Sequence, residues 1–146
     1  MEFNVRAARK FARDGRIEEW IHTYLANKAW INLGLSEGLK KQKRYWVGPL
    51  EVDLTDLSRC CGPEDDMEYR MELEHWKTRT TGFAANLNDP MDLPPLLVQY
   101  LPHKLDLRDG NHRHEALRLK GFPKAWILLW YKSEEEMKKD VLKRCP

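Results

Sequence analysis

The chain has 146 residues, with 25 Lys and Arg against 23 Asp and Glu for a net charge of +2, and 42% of it is apolar. That length holds one domain with a real core and is short for two, and the composition is that of a globular chain, not a disordered one. No apolar run is long enough to cross a bilayer, and a charge this close to balance does not by itself imply a large nucleic-acid footprint.

Met1 to Arg13 mixes charged and apolar residues and lacks the unbroken apolar core of a secretory signal, so a cytoplasmic location is expected. The cysteines agree with a reducing compartment. Cys60, Cys61 and Cys145 show no CxxC or Cys/His spacing, and adjacent cysteines are strained as a disulfide, so all three are read as unpaired thiols.

The first third reads as helical. Val5, Ala8, Phe11 and Ala12 recur at helical spacing, and Gly15 is placed to end that helix. Ile17, Trp20, Ile21, Tyr24 and Leu25 make the apolar face of a second helix, which Trp30 to Leu35 is expected to continue. That face is expected to pack on the rest of the chain, a dimer contact being the alternative. Lys40, Lys41, Lys43 and Arg44 then form a basic run, read as a solvated linker ahead of a contact with nucleic acid.

Trp46 to Leu54 alternates as a strand, with Pro49 placing it at a sheet edge or a strand start. Pro63-Glu64-Asp65-Asp66 has the proline and acids of a helix start, which predicts a helix through Met67, Met71 and Trp76 to about Arg79. Thr80 to Pro95 reads as a loop with one short helical turn. Pro95 to Leu101 and Leu105 to Asp109 form a hairpin across Pro102-His103-Lys104. The period changes at Gly110, giving a short helix that Gly121 closes, and Ala125 to Tyr131 is a buried strand. Ser133-Glu134-Glu135-Glu136 is a capping box that opens a last helix. Trp20, Trp126 and Trp130 lie on apolar faces and are read as core. Trp46 and Trp76 are read the same way, with stacking on a base as their alternative.

Asp109-Gly110-Asn111-His112-Arg113 is where a site is expected. Gly110 permits a sharp turn and close approach of a ligand to the backbone. The helix start offers unpaired amides and the positive end of its dipole to a phosphate. Arg113 adds forked donors, Asn111 and His112 add side-chain donors at the rim, and Asp109 is placed to accept a proton or face a magnesium ion. His103, His112 and His114 with Asp106 or Asp109 are not read as a metal site, because residues two apart do not share a helix face.

The run Pro95-Leu96-Leu97-Val98, hairpin, Asp109-Gly110-Asn111-His112-Arg113-His114-Glu115-Ala116, Gly121 and returning strand resembles the ParB/sulfiredoxin superfamily. The specific match runs from Pro95 to Tyr131, and upstream to Trp46 it is one of layout. The resemblance implies an α+β fold, a small mixed sheet with flanking helices. It divides the chain into a helical N-terminal extension (1–45), the ParB/sulfiredoxin-like domain (46–132) and a C-terminal helix (133–146). It further implies that Gly110, Asn111, His112 and Arg113 hold the phosphates of ATP, ADP or CTP with magnesium.

Within that superfamily, sulfiredoxins carry their catalytic cysteine at the place of Asn111, so their chemistry is not expected here. Cys60 and Cys61 are too distant in sequence to assume as substitutes. Free-serine kinases carry a turn differing from this one at a single position. That branch implies phosphate transfer to a small hydroxyl substrate, with Glu64 as base and Asp109 beside it; Asp65 and Glu68 are alternatives for the base. ParB proteins use the corresponding turn to bind CTP as a DNA-clamping switch. Only Ser133 to Pro146 follows the core, too little for their helix-turn-helix, so the other reading is a nucleotide-responsive or DNA-associated binding module, free to form a homodimer.

Overall fold

The computed structural model describes residues 1–144, so Cys145, expected to be a third unpaired thiol, lies outside the described residues. Asn4 caps α1 (Val5–Arg13) by accepting the Ala7 amide at 2.8 Å, and α2 (Ile17–Ala26) follows after Gly15. The second helix does not continue through Trp30. Asn27 is extended, and Asn32 opens α3 (Leu33–Lys40) by accepting the Leu35 amide at 3.2 Å. Asparagine stabilises a helix start better than a helix interior, which is why the periodicity across Trp30 to Leu35 misleads. Arg44, at the end of the basic run, donates to the carbonyls of Gly38 and Leu39 and closes α3 instead of lying free in a linker.

The sheet strands are β1 (Tyr45–Asp53), β2 (Leu57–Arg59), β5 (Leu96–Leu101), β6 (Lys104–Asp109) and β7 (Lys124–Tyr131), in the order β1-β7-β5-β6-β2. β1–β7 and β5–β6 pair antiparallel, β5–β7 and β2–β6 parallel, so the sheet is mixed and the fold is α+β. β1, with Pro49, takes an edge, where a residue lacking an N–H costs no ladder bond. Two short strands, β3 (Cys61–Gly62) and β4 (Tyr69–Arg70), pair beside the sheet. The helices that follow are α4 (Leu73–Asn86), α5 (Asn111–Leu119) and α6 (Glu134–Arg144). Ser133 caps α6 by accepting the Glu136 amide at 3.1 Å, as the capping box predicts. Among the described residues no helix is long and apolar enough to cross a membrane.

The helix predicted from Pro63 to about Arg79 begins ten residues later, at Leu73, and runs through the first half of the predicted Thr80–Pro95 loop. The acids that suggested a helix start are used otherwise. Glu64 pairs with Arg59 and Asp65 with Arg70, and the Glu72 carboxylate caps α4 by accepting the Glu74 amide at 3.2 Å. Acidic residues serve ion pairs as readily as dipoles, so composition alone misplaced the start.

β7 is apolar on both faces because both are covered, the usual cause of an unbroken apolar strand. Ile127, Leu129 and Tyr131 join Leu96, Val98, Leu107 and Leu117 in one core. Leu128 and Trp130 turn the other way and, with Leu97, meet Ala8, Trp20, Ile21, Tyr24 and Leu25. The first three helices therefore cover the second face of the sheet. Trp76 is buried, and Trp46 packs on Trp130 at a ring separation of 5.3 Å. Trp126 departs from the expected core position: it is half-buried, with the Arg9 guanidinium 5.4 Å from its ring.

Candidate functional site

The turn from β6 into α5 is set by Gly110, whose φ of +100° lies where side chains are disfavoured. A β-carbon there would also stand 2.5 Å from Leu96 Cδ2 and 2.9 Å from Arg113 Nη2. The first helical bond runs from His114 N–H to the Gly110 carbonyl at 2.9 Å, which leaves the amides of Asn111, His112 and Arg113 without a helical partner.

Arg113 does not extend into solvent. It is 4% exposed, and its Nη2 donates to the Tyr24 hydroxyl (2.8 Å), the Pro95 carbonyl (3.4 Å) and Asp109 (3.4 Å). Its Nε is buried with no partner, and its guanidinium lies 5.0 Å over the Trp30 ring. Asp109 is equally committed. One oxygen accepts the Tyr24 hydroxyl at 2.5 Å as well as Arg113, and the other accepts Asn32 Nδ2 at 3.2 Å. Burial, the leading cause, pushes the Tyr24 phenol well above its ordinary range, so it stays protonated and donates.

Tyr24 and Asn32 were not among the expected site residues. Tyr24 was read only as part of an apolar face, although a buried tyrosine hydroxyl needs a polar partner, and that requirement was the available signal.

Asn111 also faces inward, not to the rim. Its Oδ1 accepts the amides of Cys60 (3.0 Å) and Cys61 (3.2 Å), while its Nδ2 donates to the Leu107 carbonyl at 3.3 Å and lies 3.6 Å from Cys60 Sγ. The two cysteines are thus brought against the turn despite fifty residues of separation. Both are free thiols, and burial pushes both pKa values up, which disfavours the nucleophilic thiolate.

His112 packs on Trp76 at a ring separation of 4.6 Å, its Nε2 lies 3.1 Å from Met71 Sδ, and Arg59 covers Trp76 at 4.9 Å. Burial, then Arg79, His75, Arg113 and Arg59, lower the His112 pKa to about 4. The imidazole is neutral at pH 7, and of the basic neighbours Arg59 and Arg113 are themselves paired with Glu64 and Asp109. The sign of the resulting pH dependence follows. The unfolded chain takes up the proton near the ordinary value of 6.5 and the folded chain only near 4, so this contribution to stability is complete above about pH 6.5 and is lost as pH falls toward 4. His112→Gln should flatten that part of a melting-temperature profile, and an unchanged slope would contradict the assignment.

Glu64 lies apart from this group. It is paired with Arg59, and although burial acts in the opposite direction, the hydrogen bond from Arg59 holds its carboxyl below the ordinary range. It lines neither cleft beside the turn.

Those clefts meet at Asp109, Gly110 and His112. One, about 520 Å³, is bounded by α3, Cys60, Cys61, Tyr69 and Arg108. The other, about 340 Å³, is bounded by Lys28, Trp30, Arg79, Phe83 and Arg113. Arg108 is neutralised by Glu68 and Asp106, whereas none of the ion pairs among the described residues uses Lys28 or Arg79. The second cleft therefore carries exposed positive charge, free of ion pairs, beside the start of α5.

Solved structures similar to this chain include the following three. Sulfiredoxin from Arabidopsis thaliana is 19% identical over 64% of this chain and 94% of its own, with a TM-score of 0.41. A Pnob8-like ParB-N domain is 16% identical over 68% of this chain and 34% of its own, with a TM-score of 0.38. The C-terminally truncated chromosome-partitioning protein ParB from Caulobacter crescentus, complexed with CTP-gamma-S, is 15% identical over 68% of this chain and 53% of its own, with a TM-score of 0.39. The chain thus spans about a third and about half of the two ParB chains. No family model matches the chain, and no curated protein does.

Proposed function

We propose that this chain binds a nucleotide through its phosphates at the start of α5, as a binding module in the first instance. One observation carries the reading: the helix start, whose amides at residues 111–113 have no helical partner, places Gly110, His112 and the buried, incompletely bonded Arg113 on the lining of a cleft that also holds Lys28 and Arg79. Amides, dipole and cations converging on one point are what a polyphosphate requires. Gly110 keeps the backbone bare at that point. Asp109, the carboxylate on the lining of both clefts, is the residue that would face a magnesium ion arriving with the nucleotide.

Titration calorimetry with ATP, ADP and CTP in the presence of magnesium tests the reading. Lys28→Ala and Arg79→Ala, both at exposed positions, should each weaken binding by on the order of tenfold, the usual worth of a charge-assisted contact. Full affinity in the double variant would remove the proposed site.

Phosphoryl transfer to a small hydroxyl substrate is the second reading, favoured by the room for an acceptor in the 520 Å³ cleft next to the turn. It needs a base at the acceptor. Glu64 is held by Arg59, and Asp109 is hydrogen-bonded through both oxygens, which is why binding is placed first. Phosphoserine formed from nucleotide and free serine, and lost in Glu64→Gln, would reverse that order. A DNA mobility shift that responds to nucleotide would instead mark the module as DNA-associated.

A further inference from the structure

The positive cleft has an extension that the phosphate reading leaves unused. Beyond Trp30, Arg79 and Phe83, which it shares with that cleft, lies an open trough of about 630 Å³ whose lining adds Gly82 and Leu93. Trp30 and Phe83 form its aromatic wall, their rings nearly parallel at 19° with centroids 6.2 Å apart. Both side chains are half-buried, each with part of its surface open to the trough. Gly82 presents no side chain to narrow it.

The trough is mostly apolar and broad, and it is continuous with a pocket built for anions. A ligand that fills both must carry a charged end and a flat apolar end. Phosphate alone does not cover the wall, and an aliphatic chain would make no use of the aromatic surface that Trp30 and Phe83 contribute to the trough's lining. Trp30 is held in place from behind, since Arg113 packs on its ring and Tyr24 lies 6.1 Å away. Trp30 is thus packed in place by the folded chain itself, which lowers the ordering cost on its side of the wall.

We propose that this trough is the seat of the nucleobase, stacked against the Trp30–Phe83 wall while the phosphates rest on α5. The inference depends on the phosphate reading and adds to it a contribution from the α2–α3 connection, which carries Trp30. It also predicts that a base, not just a polyphosphate, is recognised.

The test compares ATP, CTP and inorganic tripolyphosphate, each with magnesium, on the wild-type chain and on Phe83→Ala, Phe83→Leu and Phe83→Tyr. Stacking of a base on an aromatic ring contributes enough that its loss should weaken nucleotide binding by about tenfold or more. The expected result is that loss in Phe83→Ala and Phe83→Leu, with tripolyphosphate affinity falling at least several-fold less because Phe83 borders the phosphate cleft without offering it a hydrogen bond, and near-complete recovery in Phe83→Tyr. Phe83→Leu keeps an apolar side chain in place, so an intact far-ultraviolet spectrum with the same loss separates stacking from unfolding. If nucleotides and tripolyphosphate both bind and no Phe83 variant distinguishes them, the base lies elsewhere and the phosphate reading stands. If neither ligand binds the wild-type chain, the phosphate reading fails and this inference fails with it.

Discussion

Arg113→Met should lower the free energy of unfolding by about 3–5 kcal/mol, because removing one member of a buried ion pair leaves the other charge uncompensated. Arg113 is 4% exposed, and its guanidinium donates to Asp109, Tyr24 and Pro95 at once. Its loss strands the Asp109 carboxylate, which keeps only the hydroxyl of Tyr24 and the amide of Asn32 as donors. Against the roughly 5–15 kcal/mol that holds an ordinary domain, this is a large fraction. Urea denaturation measures it directly. Asp109→Asn in the same background should return part of the loss, since the stranded charge is then gone and the pair is not additive. A decrease below about 1 kcal/mol in the single variant would mean that water reaches the guanidinium freely and the site is more open than its burial implies.

Asn111→Ala should cost about 2–4 kcal/mol, the sum of two amides and a carbonyl that lose their shared partner in a mostly buried position. The side chain is 6% exposed and ties the β2–β3 junction to the helix start through Cys60, Cys61 and Leu107. Thermal denaturation reads the energy, and amide hydrogen exchange reads the location. Protection should fall at Cys60 and Cys61 ahead of the sheet amides. Both line the 520 Å³ cleft, but Cys60 is buried and Cys61 half-buried, so water reaches the Cys61 amide more readily, which places its protection below that of Cys60. Unchanged protection at both residues would contradict a clamp.

Both variants concern side chains that sequence reasoning expected to meet a ligand directly. The turn itself was legible. An alternating strand, a glycine at the change of period and a second glycine after Leu119 placed β6, α5 and β7 close to their observed bounds. What the pattern does not contain is direction. Asn111 and Arg113 read as donors at a helix start, and only the packing of Cys60, Tyr24 and Trp30 around them turns both inward. The residues left to greet an anion, Lys28 and Arg79, sit in a helix connection and on a helix that was placed ten residues too early. Their charge was visible and their proximity was not, because neither the break after Ala26 nor the ion pairs of Glu64 and Asp65 have a local periodic signal.

The network joining Tyr24, Asn32, Asp109 and Arg113 also bears on how the site can be handled as a piece of engineering. A five-residue turn invites transplantation, as if it were a cassette that carries its chemistry along. Here two of the four side chains belong to the first third of the chain and two to the last. A fragment begun at Tyr45 would keep the whole motif, yet it would leave Asp109 without two of its donors and turn Leu97, Leu128 and Trp130 toward water. The geometry proposed to hold a phosphate is thus not portable with the loop; it belongs to a span of chain reaching from the second helix to the last strand.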